Sequence, residues 1–242
     1  MSITRLWLAF FCHIHSQIKG KGNKMTTRSI HWQDFFSEEP CEHGWTAFAE
    51  AVEKHGLEAA VKGAPDSSRR WGAEHTYRVD ILAILAQDTD GDVRCWVALN
   101  ANTPAETLNA LTQDADVSVR RCVALNAQTP AEVLATLATD AHYDVRRCVA
   151  LNANTSAEAL SALAQDEDVY VRCCVVRNAH TPAEVLNALA QDADDDVRRS
   201  VVQNAHTPAE ALNALAHDTD VYVRSIAQDR LQSTDARARF LA

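Results

Sequence analysis

The 242 residues are 47% apolar and 23% charged, which suits a soluble chain long enough for one or two domains. Aromatics make up only 6%, with 7 Gly and 6 Pro, too few for an all-β fold rich in bulky strands and turns. The net charge of −10 arises wholly within residues 81–242, which contain no Lys, and so acidic a body disfavours a phosphate backbone as ligand unless its arginines gather on one face.

In chain order, residues 1–30 read as a disordered or untranslated leader. The apolar block Leu6–Cys12 is too short for a membrane span and lacks the cleavage site of a signal peptide, and Met25 offers a second start. Residues 31–80 read as a helical N-terminal capping region, with a helix near Gly44–Lys54, another near Leu57–Val61 and a turn at "GAPDSS". Trp32, Phe35, Phe36, Trp45, Phe48 and Trp71 concentrate bulky side chains there. These would cover the open apolar face of the segment that begins at Ile81, joined by Trp96.

From Ile81 to about Gln232 the chain repeats with a period of 26 residues. Asn100, Asn126, Asn152, Asn178 and Asn204 mark the period, as do Arg94, Arg120, Arg146, Arg172, Arg198 and Arg224, each Arg preceded by Val. A fixed period of this length signals stacked structural units. In "TPAETLNALTQD", Thr103 reads as the N-cap, Pro104 as the first helical residue and Glu106 as the reciprocal partner of a capping box, with Leu108 and Leu111 on one face. In "DVSVRRCVALNA", Asp116 reads as the N-cap of a second helix whose Val119, Cys122, Val123 and Asn126 form a single stripe. A unit with so narrow an apolar face must stack on its neighbours to be stable. The predicted fold is all-α: a right-handed α-solenoid of six two-helix repeats of about 26 residues over 81–232, with a small helical N-terminal cap and a C-terminal cap at 233–242.

The D-x-D-x-x-V-R element followed by Asn and T-P-x-E resembles the leucine-rich repeat variant family, and more loosely the HEAT repeats. The resemblance implies a right-handed superhelix of helix pairs in which one of each pair is often 3₁₀-like. Some members of that family also carry an iron–sulfur cluster on an N-terminal cysteine-rich segment. This chain departs from that pattern, with only Cys12 and Cys41 before the repeats, whereas a cluster takes four thiolates. No cofactor or metal is therefore expected.

Cys122, Cys148 and Cys174 occupy one column of successive repeats. At the usual 8–10 Å between packed helices its members sit too far apart to crosslink, so they read as core residues. Cys173 should point away from Cys174. Unpaired thiols suit a cytoplasmic setting. Cys41, His43 and His55 match no strong zinc spacing. The column Asp88, Asp114, Asp140, Asp166, Asp192 and Asp218, with Arg six residues on, reads as a ladder of inter-unit hydrogen bonds, because an active site needs one asymmetric cluster. The Asn column reads as a polar cap on the turn between units.

Function is then expected in columns that vary from unit to unit. One runs Cys95, Arg121, Arg147, Cys173, Arg199, Ser225; another, placed in the loop before the second helix, runs Asp92, Ser118, Asp144, Tyr170, Asp196, Tyr222. The expected partner-binding residues are Arg121, Arg147, Arg177, Arg199, Tyr143, Tyr170 and Tyr222, Arg and Tyr being enriched at binding hot spots. An ordinary solvated face accounts for these columns equally well. The functional expectation is a non-catalytic scaffold for a protein or peptide. The alternatives are a HEAT-like nucleic-acid-binding or base-processing protein using the arginine strip, and an iron–sulfur redox protein.

Overall fold

A computed structural model describes residues 51–241 except 53 and 65, all within one compact unit, Gln33–Ala242. The described residues are helical, with no strand among them. The helices are α1 (Leu57–Lys62), α2 (Asp66–His75), α3 (Val79–Leu85), α4 (Gly91–Leu99), α5 (Ala105–Leu111), α6 (Val117–Leu125), α7 (Ala131–Leu137) and α8 (Tyr143–Leu151). They continue as α9 (Ala157–Leu163), α10 (Val169–Arg177), α11 (Ala183–Leu189), α12 (Asp195–Gln203), α13 (Ala209–Leu215) and α14 (Val221–Leu241). Odd-numbered helices from α3 onward are the first of each pair and even-numbered ones the second. The chain is an α-solenoid.

The second helices start as their sequences predict. Asp116 accepts from the backbone N–H of Ser118 at 2.8 Å, and Asp90, Asp168 and Asp194 do the same in their own units. In the third unit the place is taken by His142, whose Nδ1 accepts from Asp144 N–H at 3.2 Å. Asp92, Ser118, Asp144, Tyr170, Asp196 and Tyr222 lie in the first turn of these helices and not in the preceding loop.

The first helices start differently from expectation. Thr103 does not cap α5: its hydroxyl donates backwards to the carbonyl of Val97 at 2.5 Å, and Thr129, Thr155, Thr181 and Thr207 repeat the bond. Each Thr is buried and adds a second bond to a carbonyl that already accepts from the N–H of the Asn ending the preceding helix. Pro104, expected as the first helical residue, is instead the extended N-cap before Ala105 and supplies no side-chain cap, and only where Ser156 replaces proline does a hydroxyl accept from the helix, at Ala159 N–H. Both helices of each pair are α-helical, the first ones seven residues long, so the 3₁₀ character implied by the resemblance is not seen.

The core is the period made solid. Val93, Val119, Val145, Val171, Val197 and Val223 are fully buried, as are Val97, Val123, Val149, Val175 and Val201 from the same helices. Leu82, Leu108, Leu134, Leu160, Leu186 and Leu212 close the core from the first helices. The second helices stack closely on one another, whereas the first helices touch their own kind much less.

Two column positions carry the units across their junctions. Arg94 donates from Nε and Nη2 to the Asp114 carboxylate of the next unit at 2.6 and 2.9 Å, and from Nη1 to the Asp88 carbonyl of its own at 2.8 Å. The ladder continues through Arg120–Asp140, Arg146–Asp166, Arg172–Asp192 and Arg198–Asp218. The Asn side chains bridge backwards: Asn126 Nδ2 donates to the carbonyls of Ala98 and Asn100, while its Oδ1 accepts from Gln128 N–H.

Both ends extend the pattern beyond its legible limits. Arg69 donates to Asp88 at 2.6 Å and to the carbonyl of Ala64, and Asn100 reaches the carbonyls of Ala73 and Thr76. α1 and α2 thus form a divergent unit of the same solenoid, and Asp66–Ser68, expected in a turn, are helical. At the other end Arg230 holds the Asn position, and its guanidinium donates to the carbonyls of Val202 and Asn204 at 2.8 Å each. α14 runs unbroken through the boundary expected at 232. No helix among the described residues is long and apolar enough to cross a membrane. Residues 1–30, the expected helix over most of Gly44–Lys54 and the aromatic cluster Trp32 to Phe48 lie outside the described residues, as do Cys12, Cys41 and His43. Trp96, expected to join that cluster in capping the first unit, is 37% exposed.

Candidate functional site

On each second helix the residues at positions such as 118, 121 and 125 are spaced i, i+3 and i+7, so they share one face. Opposite them the valines enter the core. The outward faces, taken along the stack, read Asp92-Cys95-Leu99, Ser118-Arg121-Leu125, Asp144-Arg147-Leu151, Tyr170-Cys173-Arg177 and Asp196-Arg199-Gln203. Leu99, Leu125 and Leu151 are 40%, 48% and 43% exposed, too open for core residues. The first half of the face therefore carries one exposed leucine per helix beside polar and charged residues, and the second half, from Tyr170 on, is polar and aromatic.

A groove of about 520 Å³ opens over α8, α10 and α12. It gathers Tyr143, Tyr170, Arg147, Arg177 and Arg199, which lie on three different units in the sequence. Tyr222 lies beside it, its hydroxyl accepting from Gln203 Nε2 at 2.9 Å. Arg121 lies outside the groove, one unit earlier and half-buried. The tyrosines are exposed, Tyr170 by 64%, and the ring of Tyr143 stacks on His142 with centroids 5.1 Å apart.

The arginines are not an open cationic strip. Arg147 donates to Asp144 on its own helix at 3.0 Å, and Arg199 pairs with Asp195, Asp196 and Asp220. Arg177 makes no ion pair among the described residues and is exposed. Beneath them the variable column dips inward: Cys173, expected on the exposed face, is buried together with Cys174 on the groove floor. Burial pushes both thiols above their ordinary range, as it does Cys148, so these three are packing residues.

The groove is lined by Tyr143 and Tyr170, the buried thiols of Cys173 and Cys174, the carboxylates of Asp144 and Asp196, and three guanidiniums, of which Arg177 makes no ion pair among the described residues. Sequence reasoning missed Leu99, Leu125 and Leu151, because leucine at helical spacing reads as core. Their place four residues after the variable Cys/Arg column was the available signal. It also missed Gln203, which shares their column and anchors Tyr222.

With this geometry in hand, the comparisons with known proteins are decisive for the repeats. The family model described as leucine rich repeat variant matches residues 91–116, 143–168 and 195–220, each beginning with a second helix and ending at the Asp that precedes the next one. The three matched stretches are leucine-rich repeat variant units. A solved structure described as "a leucine-rich repeat variant with a novel repetitive protein structural motif" matches with a TM-score of 0.56 and 26% identity, over 76% of this chain and 81% of that chain. No curated protein matches the chain. The units left unmatched between these windows carry the same Arg–Asp and Asn bonds as the matched ones.

Proposed function

We propose that this protein is a non-catalytic scaffold that binds a protein or peptide along the outward face of its second helices. The observation that carries this reading is the continuous exposed face from Leu99 to Gln203, with exposed leucines at one end and rich in Tyr and Arg at the other. Exposed leucines in register across three units cost solubility and serve a surface that becomes covered. Tyr and Arg at its far end are the side chains that supply hot spots. Nucleic acid fits this face less well, because Arg147 and Arg199 already share carboxylates and the surrounding body is acidic.

The test is affinity capture from the native cell with the full chain and two variants. Leu125→Ser with Leu151→Ser alters the half with the leucines, and Tyr170→Ala with Arg177→Glu alters the half with Tyr and Arg. These are surface positions, so circular dichroism should stay unchanged. A shared protein partner lost with both variants and kept by the parent supports the reading. A turnover reaction abolished by one substitution, or capture unaffected by either variant, overturns it.

A further inference from the structure

Cys95 on α4 and Cys122 on α6 belong to different columns of the repeat, and their Sγ atoms lie 2.7 Å apart across the junction of the first two units. A register of 27 residues brings the outward column of one helix against the inward column of the next. Elsewhere along the stack that register places Arg121 beside Cys148, Arg147 beside Cys174 and Cys173 beside Ser200. Only at the first junction do both partners carry a thiol.

A glycine stands at this junction, against a side chain of the next unit. At Gly91, the first residue of α4, an added Cβ would come within 2.7 Å of Asp116 Oδ2, the cap of α6. The other second helices begin with Val117, Tyr143, Val169, Asp195 and Val221 at this position. Cys95 stands one turn after Gly91 on the same face.

The two thiols are chemically unequal and neither is sealed in the core. The hydrogen bond from Cys122 draws the Cys95 thiol below its ordinary range. The same bond, with burial, pushes Cys122 well above it. A thiolate beside a resolving thiol is the arrangement that exchange chemistry uses.

We propose that Cys95 and Cys122 are a redox-active dithiol, closed to a cystine bridge between the first and second repeats by a small disulfide oxidant such as oxidised glutathione. Cys95, having released its proton, attacks one glutathione sulfur; the glutathione disulfide bond breaks, and one glutathione leaves with the electron pair and takes up a proton. Cys122 then loses its proton and attacks Cys95 Sγ, displacing the second glutathione from the mixed disulfide. Two protein thiols give up two electrons and two protons, and one glutathione disulfide becomes two thiols. The bridge would fix the spacing of α4 and α6, on which the Leu99 and Leu125 end of the outward face rests.

The full chain is equilibrated over a range of reduced to oxidised glutathione ratios, quenched in acid, alkylated and mapped by mass spectrometry without reduction. The expected product joins the Cys95 and Cys122 peptides with loss of two hydrogens, while Cys148, Cys173 and Cys174 remain alkylatable thiols once the chain is unfolded. Cys122→Ser should stop at a Cys95–glutathione adduct, and Cys95→Ser should leave Cys122 far slower to react. Gly91→Val should lower the equilibrium yield of the bridge several-fold while preserving the helical spectrum. Absence of the Cys95–Cys122 peptide at every ratio, or pairing of Cys122 with another cysteine, overturns the proposal.

Discussion

Arg146 and Arg147 are consecutive residues of one helix, and they belong to two different regions of the molecule. Arg146 is buried in the junction, where it donates to the Asp166 carboxylate and to the carbonyls of Asp140 and Ala141. Arg147 lies on the outward face with a side chain 38% exposed and a partner, Asp144, on its own helix. The first kind of arginine recurs in every unit because every junction needs the same bond. The second changes to Cys or Ser from unit to unit because no junction depends on it. Architecture and recognition are thus separated by one residue, about 100° around the helix.

The comparison breaks most visibly at the junction. Arg146→Ala should cost about 3 kcal/mol or more, because it leaves the Asp166 carboxylate, 6% exposed, without its counter-charge. Hydrogen exchange should show the loss concentrated in α8 to α10, and a variant as stable as the parent would remove the ladder from the account of stability. Asn152→Ala comes next, at roughly 2 kcal/mol, since it removes the bonds to the carbonyls of Ala124 and Asn126, of which Asn126 keeps only its bond from Thr129 N–H. Urea unfolding followed by circular dichroism reads both.

Acid tests the same ladder without mutation. At Asp114, Asp140 and Asp166 burial pushes the carboxyl up, but the Arg bond and a backbone N–H outweigh it and leave each below its ordinary value. At Asp218 the bond from Arg198 is the leading influence, with the same result. Carboxyls more acidic folded than unfolded give a stabilisation that is fully present above the unfolded value of about 4. It is lost as pH falls through the lower folded values. Helicity should therefore hold from neutral pH down to about pH 4 and fail below it; a transition centred near pH 6 would contradict this.

The smallest effects sharpen the contrast. His142 caps α8 where the other five units use Asp, so His142→Asp should add about 0.5 kcal/mol, visible as a small rise in Tm. Arg147→Ala should change stability by no more than about 0.5 kcal/mol, since its ion pair lies within one exposed helix face. A large loss there would erase the distinction between the neighbouring arginines.

The junctions were largely legible in the chain, because a bond needed once per unit leaves a column that a fixed period exposes. The Asp–Arg ladder and the second-helix caps follow from that alone. What escaped was tertiary. The Thr column has the local form of a capping box, and its hydroxyl instead turns backwards to the carbonyl of Val97. The unit formed by α1 and α2 was hidden because Arg69 precedes Arg94 by one residue less than the period. Cys95 and Cys122 were separated by reading columns at 26 residues, when contact across the stack runs at 27. The candidate face was partly visible: most of the Tyr and Arg positions came together, while the exposed leucines were not singled out.

Arg230 standing where the other units have Asn has a consequence for how such a molecule can change. Its guanidinium reaches the same two carbonyls that an amide reaches elsewhere, so the last turn accepts any cationic or amide donor of sufficient reach. Every internal joint, by contrast, has the same plug and the same socket. A stretch of 26 residues copied into the middle would find both waiting. Length is then a free variable for evolution, with the two identical copies of Val-Arg-Arg-Cys-Val-Ala-Leu-Asn at 119–126 and 145–152 as the kind of trace that duplication leaves.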